Sequence, residues 1–230
     1  MSDRIVIALD VSSGGEALRL VDTLTGAAGM FKIGSQLFVA EGPAIVREIV
    51  ARGCRVFLDL KFHDIPNTVT KAAVEAARLG VSMMTIHASG GRAMMSSVAA
   101  GLREGFGEDR PIVVAVTALT SLSDAALREC GVSRSMDEQV RELALLARDS
   151  GIDGVVCSPK EIAMIRGAAG PGFKIVTPGI RMCGQPLHDQ ERAATPREAV
   201  ARGADYLVVG RAVTDDADPR AALERLIQSL

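Results

Sequence analysis

The chain has 230 residues, a formal net charge of −2, 48% hydrophobic residues and 23% charged residues. That balance supplies apolar side chains for a sizeable core and no general attraction to nucleic acid or anionic membrane, so any anionic ligand must be held by local groups. Trp is absent and Tyr occurs once, so nucleic-acid binding by base stacking on aromatic platforms is not expected.

The four cysteines, Cys54, Cys130, Cys157 and Cys183, show no paired spacing, and a reduced, cytoplasmic protein is expected. The opening MSDRIVIALD has no basic segment leading into a long apolar one, so no signal peptide is expected. No run is long and apolar enough to predict a membrane span.

In chain order, short apolar strands alternate with amphipathic helices. Strands are expected at 5–10, 30–34, 55–61, 83–87, 112–117, 154–157, 174–177 and 206–210. Their near-continuous apolarity suits a buried parallel sheet. Helices are expected between them, at 15–24, 36–51, 68–79, 91–103, 136–150, 160–168, 196–201 and 219–227. Eight such units without a composition break predict one domain over 1–230, a single (β/α)8 TIM barrel. An open doubly wound sheet is the alternative. It commonly carries GxGxxG after its first strand, whereas here that strand runs into Asp10-Val11-Ser12-Ser13.

Barrel chemistry sits at the C-terminal ends of the strands. The third strand is the most informative. In FLDLKFHDIPNT, from Phe57 to Thr68, Asp59 and Lys61 share one side of the strand and Leu58 and Leu60 the other. Asp64 follows three residues later, so two carboxylates are expected to bracket one ammonium. Packing gives little reason for three charges in an apolar strand, because a buried ion pair is often no better than apolar residues. A structural ion-pair network is the competing reading.

The other ends add Asp10, Lys32 within FKIG, His87, Thr117 with Thr120 and Ser121, then TPGIR and VGR. A lone histidine such as His87 reads as a hydrogen-bonded structural residue. Loops after the seventh and eighth strands commonly hold phosphate. Gly179, Arg181, Gly210 and Arg211 fit that role, with glycines admitting backbone N–H groups and arginines supplying donor forks. The expected ligand is a phosphorylated small molecule whose far end meets Asp10, Lys32, Asp59, Lys61 and Asp64. The stretch from Met182 to Thr195 is long for a barrel loop and reads as a lid.

ALD, FKIG, DLKFHDIPNTV, TPGIR, DQxRxxTP across Asp189–Pro196 and VVGR stand in one order along nearly the whole chain. Together they resemble the bacterial orotidine 5′-phosphate decarboxylase family. The resemblance implies loss of CO2 from orotidine 5′-phosphate to give UMP, the last step of UMP synthesis. It implies no cofactor, no metal and a homodimer with shared active sites. It implies that Asp59, Lys61 and Asp64 form the catalytic array, with Lys61 the proton donor. Asp10 and Lys32 would bind ribose and order the charges, and Asp64 and Thr68 would reach into the partner's site. Thr120 would meet the pyrimidine, and Arg181, Gln190, Gly210 and Arg211 would hold the phosphate.

Three rival readings are weighed against this resemblance. Sugar-phosphate decarboxylases and aldolases share the Asp-x-Lys-x-x-Asp strand but use Mg2+, which needs a carboxylate near the end of the second strand, where this chain has Lys32. Ribulose-phosphate epimerases need several histidine ligands, a pattern that His63, His87 and His188 do not supply. The rival outside enzymes is a phosphate-ligand sensor that has kept the barrel.

Overall fold

The structure is a computed structural model that describes residues 2–181 and 194–230. Eight parallel strands close into a barrel in sequence order. They are β1 (Ile5–Ala8), β2 (Met30–Gly34), β3 (Val56–Phe62), β4 (Met83–His87), β5 (Ile112–Val116), β6 (Gly154–Val156), β7 (Lys174–Thr177) and β8 (Tyr206–Val209). β1 pairs with β8 through Ile5↔Leu207, Val6↔Val208 and Ile7↔Val209, which closes the ring.

Strand alternation sorts the core into two layers. Val6, Ala8, Met30, Phe57, Met83, Val114, Val176 and Val208 fill the barrel interior. The residues between them, such as Ile7, Phe31, Ile33, Leu58, Met84 and Ile175, pack outward against the helices. Below the C-terminal mouth both faces of the strands are therefore apolar, as suits a buried parallel sheet. Among the described residues, no helix is long and apolar enough to cross a membrane.

The helix expected over 36–51 is two helices, Ser35–Glu41 and Pro43–Ala51. Gly42 between them adopts φ +64°, which favours glycine, and Pro43 cannot donate the next helical hydrogen bond. Two further short helices, Asp124–Glu129 and Arg211–Thr214, occupy stretches expected as loops. β1, β5, β6 and β8 end one or two residues earlier than expected, and β3 runs from Val56 to Phe62.

The N-terminal end of the barrel is tied by ion pairs away from the strand C-termini. Arg110 grips Asp153 with two donors, Nη1 to Oδ2 at 2.7 Å and Nη2 to Oδ1 at 2.6 Å. Asp153 Oδ2 also accepts from the Val113 N–H at 2.8 Å. This bond to Asp153 raises the Arg110 pKa more than burial lowers it. Asp153→Ala leaves a partly buried guanidinium and an amide without their partner. The expected loss is about 3 kcal/mol, roughly 6–12 °C in Tm, by calorimetry or denaturant titration. Since function in this fold lies at the opposite face, kcat/KM is expected to stay within about twofold.

Candidate active site

Following the inward rows of the strands to their C-terminal ends, and one step past β1, leads to the charges. Val6 and Ala8 are followed by Asp10, Met30 by Lys32, and Phe57 by Asp59 and Lys61. The charges alternate in sign along the mouth. Lys32 Nζ lies 3.0 Å from Asp10 Oδ1 and 3.7 Å from Asp59 Oδ2. Lys61 Nζ lies 2.9 Å from Asp59 Oδ1. The side chains of Lys32 and Asp59 are only 10% and 14% exposed, whereas that of Lys61 is 36% exposed. Asp59 is thus held beneath, and the Lys61 ammonium reaches into open space.

That space is a cavity of about 530 Å3 at the barrel mouth. Its charged side is Asp10, Lys32, Asp59 and Lys61, and its apolar side includes Phe57, Val116, Leu119, Val156, Val176 and Val208. Thr120 lines it from the loop after β5. Pro178, Gly179, Arg181, Gly210 and Arg211 line it from the ends of β7 and β8. Gly179 takes φ +77°, which allows the tight turn that sets Arg181 at the rim. Ile180 pairs with Ala194 in a parallel bridge, and the Arg181 N–H donates to the Ala194 carbonyl at 3.1 Å. One cavity therefore joins these charges to two arginines.

Nine of the residues expected at the site line this cavity: Asp10, Lys32, Asp59, Lys61, Thr120, Gly179, Arg181, Gly210 and Arg211. Asp64 and Thr68 are not among them. Both are exposed, and Asp64 Oδ1 accepts from the N–H of Ile65 at 2.6 Å. Within one chain, then, Lys61 is not bracketed by Asp59 and Asp64. Period-two alternation ends with the strand and gives no direction for a side chain beyond it. Gln190, His188, Cys183 and most of the segment expected as a lid lie outside the described residues.

Thr85 is a site residue that the motifs do not single out. It is fully buried beneath the site and bonded to both Asp59 and Lys61. Its parity with inward-facing Met83 was the available signal.

His87 stacks on His63 with ring centroids 5.3 Å apart. Burial first, then the positive charges of His63 and Lys61, lowers its pKa below 6.5, with Asp59 opposing. Its protonation is disfavoured in the fold, so its contribution to stability is present above pH 6.5 and is lost as pH falls through the lowered value. Lys61→Met removes one of those charges and is expected to raise the His87 midpoint in an NMR titration. An unchanged or lower midpoint would contradict this placement of the two side chains.

The fold and site are those of a β/α-barrel protein with a charged end and an arginine-flanked end in one cavity. Comparison with known proteins gives the particular family. The chain belongs to the Orotidine 5'-phosphate decarboxylase / HUMPS family, whose model matches residues 3–226. It is 52% identical over 230 residues to orotidine 5'-phosphate decarboxylase of Syntrophotalea carbinolica, covering 99% of this chain and 94% of that one. It is 53% identical over 224 residues to the protein of the same name from Moorella thermoacetica, covering 96% and 89%. The crystal structure of orotidine 5'-phosphate decarboxylase from Lactobacillus acidophilus superposes with a TM-score of 0.88 at 38% identity, covering 98% and 97%.

Proposed function

We propose that this chain converts orotidine 5′-phosphate to UMP and CO2 without a cofactor. The observation that carries the reading is the row Asp10–Lys32–Asp59–Lys61, with neighbouring separations of 3.0, 3.7 and 2.9 Å, in the same cavity as Arg181 and Arg211. Relatives about half identical over nearly the whole chain bear the corresponding name.

The chemistry needs such a site. When the C6–carboxylate bond breaks, CO2 departs and its bonding pair stays on C6 of the pyrimidine. No conjugated sink takes that pair, so an ammonium held close to C6 must stabilise it. Lys61 supplies this compact charge and then transfers a proton from Nζ to C6, giving UMP; solvent restores the proton to the amine. Asp59, 2.9 Å from Nζ, favours the charged form and aims it. Asp10 and Lys32 order Asp59 from the other side and meet the ribose. Thr120 meets the pyrimidine, while Gly210, Arg181 and Arg211 hold the phosphate. Gln190 is assigned to the phosphate by resemblance.

The working form is a homodimer in the cytoplasm, each chain a single barrel domain. Asp64 and Thr68, exposed and outside their own cavity, complete the site of a second copy. Mixing Lys61→Ala with Asp64→Ala tests this. Heterodimers then contain one intact site, and random exchange restores about a quarter of wild-type activity. No recovery after exchange would refute shared sites.

Lys32 separates this reading from the Mg2+-dependent sugar-phosphate enzymes. Its ammonium lies between the carboxylates of Asp10 and Asp59, and its charge opposes a cation there. The test is a choice of substrates. Orotidine 5′-phosphate is expected to yield UMP, and 3-keto-gulonate 6-phosphate or hexulose 6-phosphate with Mg2+ no product. The reverse outcome would overturn the assignment, and UMP binding without turnover would favour the sensor.

A further inference from the structure

β3 does not run regularly past the site. Its register with β4 is Phe57↔Met83 and Leu58↔Met84, but then Phe62↔Ile86. Four steps along β3 thus span two along β4, and Asp59 and Lys61 lie in the excess. Lys61 has φ +53°, the one non-glycine residue with positive φ among the described residues. Side chains disfavour that conformation, and it persists where surrounding structure over-determines it.

Thr85 of β4 is what faces the excess. Its Oγ1 accepts the Lys61 backbone N–H at 2.8 Å and donates to Asp59 Oδ1 at 3.0 Å. The same Asp59 oxygen accepts from Lys61 Nζ at 2.9 Å. A hydroxyl carries one donor and accepts through its lone pairs, so one atom satisfies both demands. Thr85 is fully buried, so water cannot readily replace it. The loop of contacts runs from Lys61 N–H through the hydroxyl to the carboxylate and back to the Lys61 ammonium.

We propose that Thr85 is a positioning residue for the decarboxylation, its hydroxyl holding Lys61 in the left-handed conformation and fixing the Asp59 oxygen that aims the ammonium. This rests on the functional reading above for Lys61 and Asp59. Thr85 itself lies beneath the cavity and acts through these two residues.

The test compares Thr85→Val, which keeps the shape without the hydroxyl, with Thr85→Ser, which keeps the hydroxyl. Thr85→Val is expected to lower kcat by roughly 10–100-fold, the scale of an ångström-level misplacement, with KM within about threefold because the arginine end is untouched. Thr85→Ser is expected to recover kcat to within about threefold of wild type. Equal kcat in all three proteins, equal loss in both variants, or a loss confined to KM would overturn the proposal.

Backbone exchange of the Lys61 amide, followed by NMR, gives a readout free of turnover. It is expected to quicken in Thr85→Val and to match wild type in Thr85→Ser. An inactive wild type would refute the functional reading, and this exchange would still decide whether Thr85 holds Lys61. Unchanged exchange in Thr85→Val would overturn the proposal. If Thr85→Val does not fold, Thr85→Ala is read in the same way. Failure of both to fold would mark Thr85 as core packing and count against it.

Discussion

Lys61→Ala is expected to lower kcat on orotidine 5′-phosphate by on the order of 10^5, about 7 kcal/mol of barrel-mouth catalysis. Two separate contributions disappear together. A positioned acid contributes about 10^2–10^4, and an ammonium aimed at developing charge contributes about 10^2–10^3 more. Binding is expected to survive, with UMP affinity changed by less than about tenfold, because the cavity walls and both arginines remain. Lys61→Arg is not expected to rescue, since a guanidinium keeps its proton and spreads its charge over a plane. Steady-state turnover beside calorimetric titration with UMP reads both quantities. A variant that binds UMP poorly yet turns over near the wild-type rate would place Lys61 among binding groups.

The second large effect is expected at the other end of the cavity. Arg211→Ala should lower kcat/KM for orotidine 5′-phosphate by about 10^2–10^3, the scale of a charged donor to a phosphate. With orotidine, which lacks the phosphate, the same substitution should leave kcat/KM within about threefold. The phosphate does not react, but its binding energy can align the reacting end. Parallel assays on the two substrates separate this from general damage. Equal losses on both would show that Arg211 supports the barrel rather than the phosphate.

The barrel was legible because its two signals are local. Buried parallel strands read as short apolar runs, and helices show their three- and four-residue spacing. The break at Gly42-Pro43 was also visible in the residues, though the continuous apolar pattern from Gln36 to Ala51 masked it. Asp59, Lys61 and Lys32 were found because inward parity extends to the end of a strand.

Other features had no periodic signature. Nothing in LDLKF announces a left-handed lysine, since that conformation arises from a register mismatch between two strands. Thr85 reads as an ordinary β-branched strand residue in MMTIH, and its role needs the neighbouring strand to be seen. Asp64 shows the limit of the motif itself. The spacing DxKxxD places a second carboxylate near Lys61 in sequence, whereas the fold leaves it exposed and outside its own cavity.

On the proposed reading, the charges of this site decarboxylate a pyrimidine nucleotide unaided. The most direct measurement is the progress curve for orotidine 5′-phosphate with wild-type protein prepared and assayed in EDTA, with UMP and CO2 quantified at its end. Complete conversion is expected, one UMP and one CO2 for each substrate consumed, at the same rate with or without the chelator. No UMP, or UMP formed only after Mg2+ is restored, would contradict it.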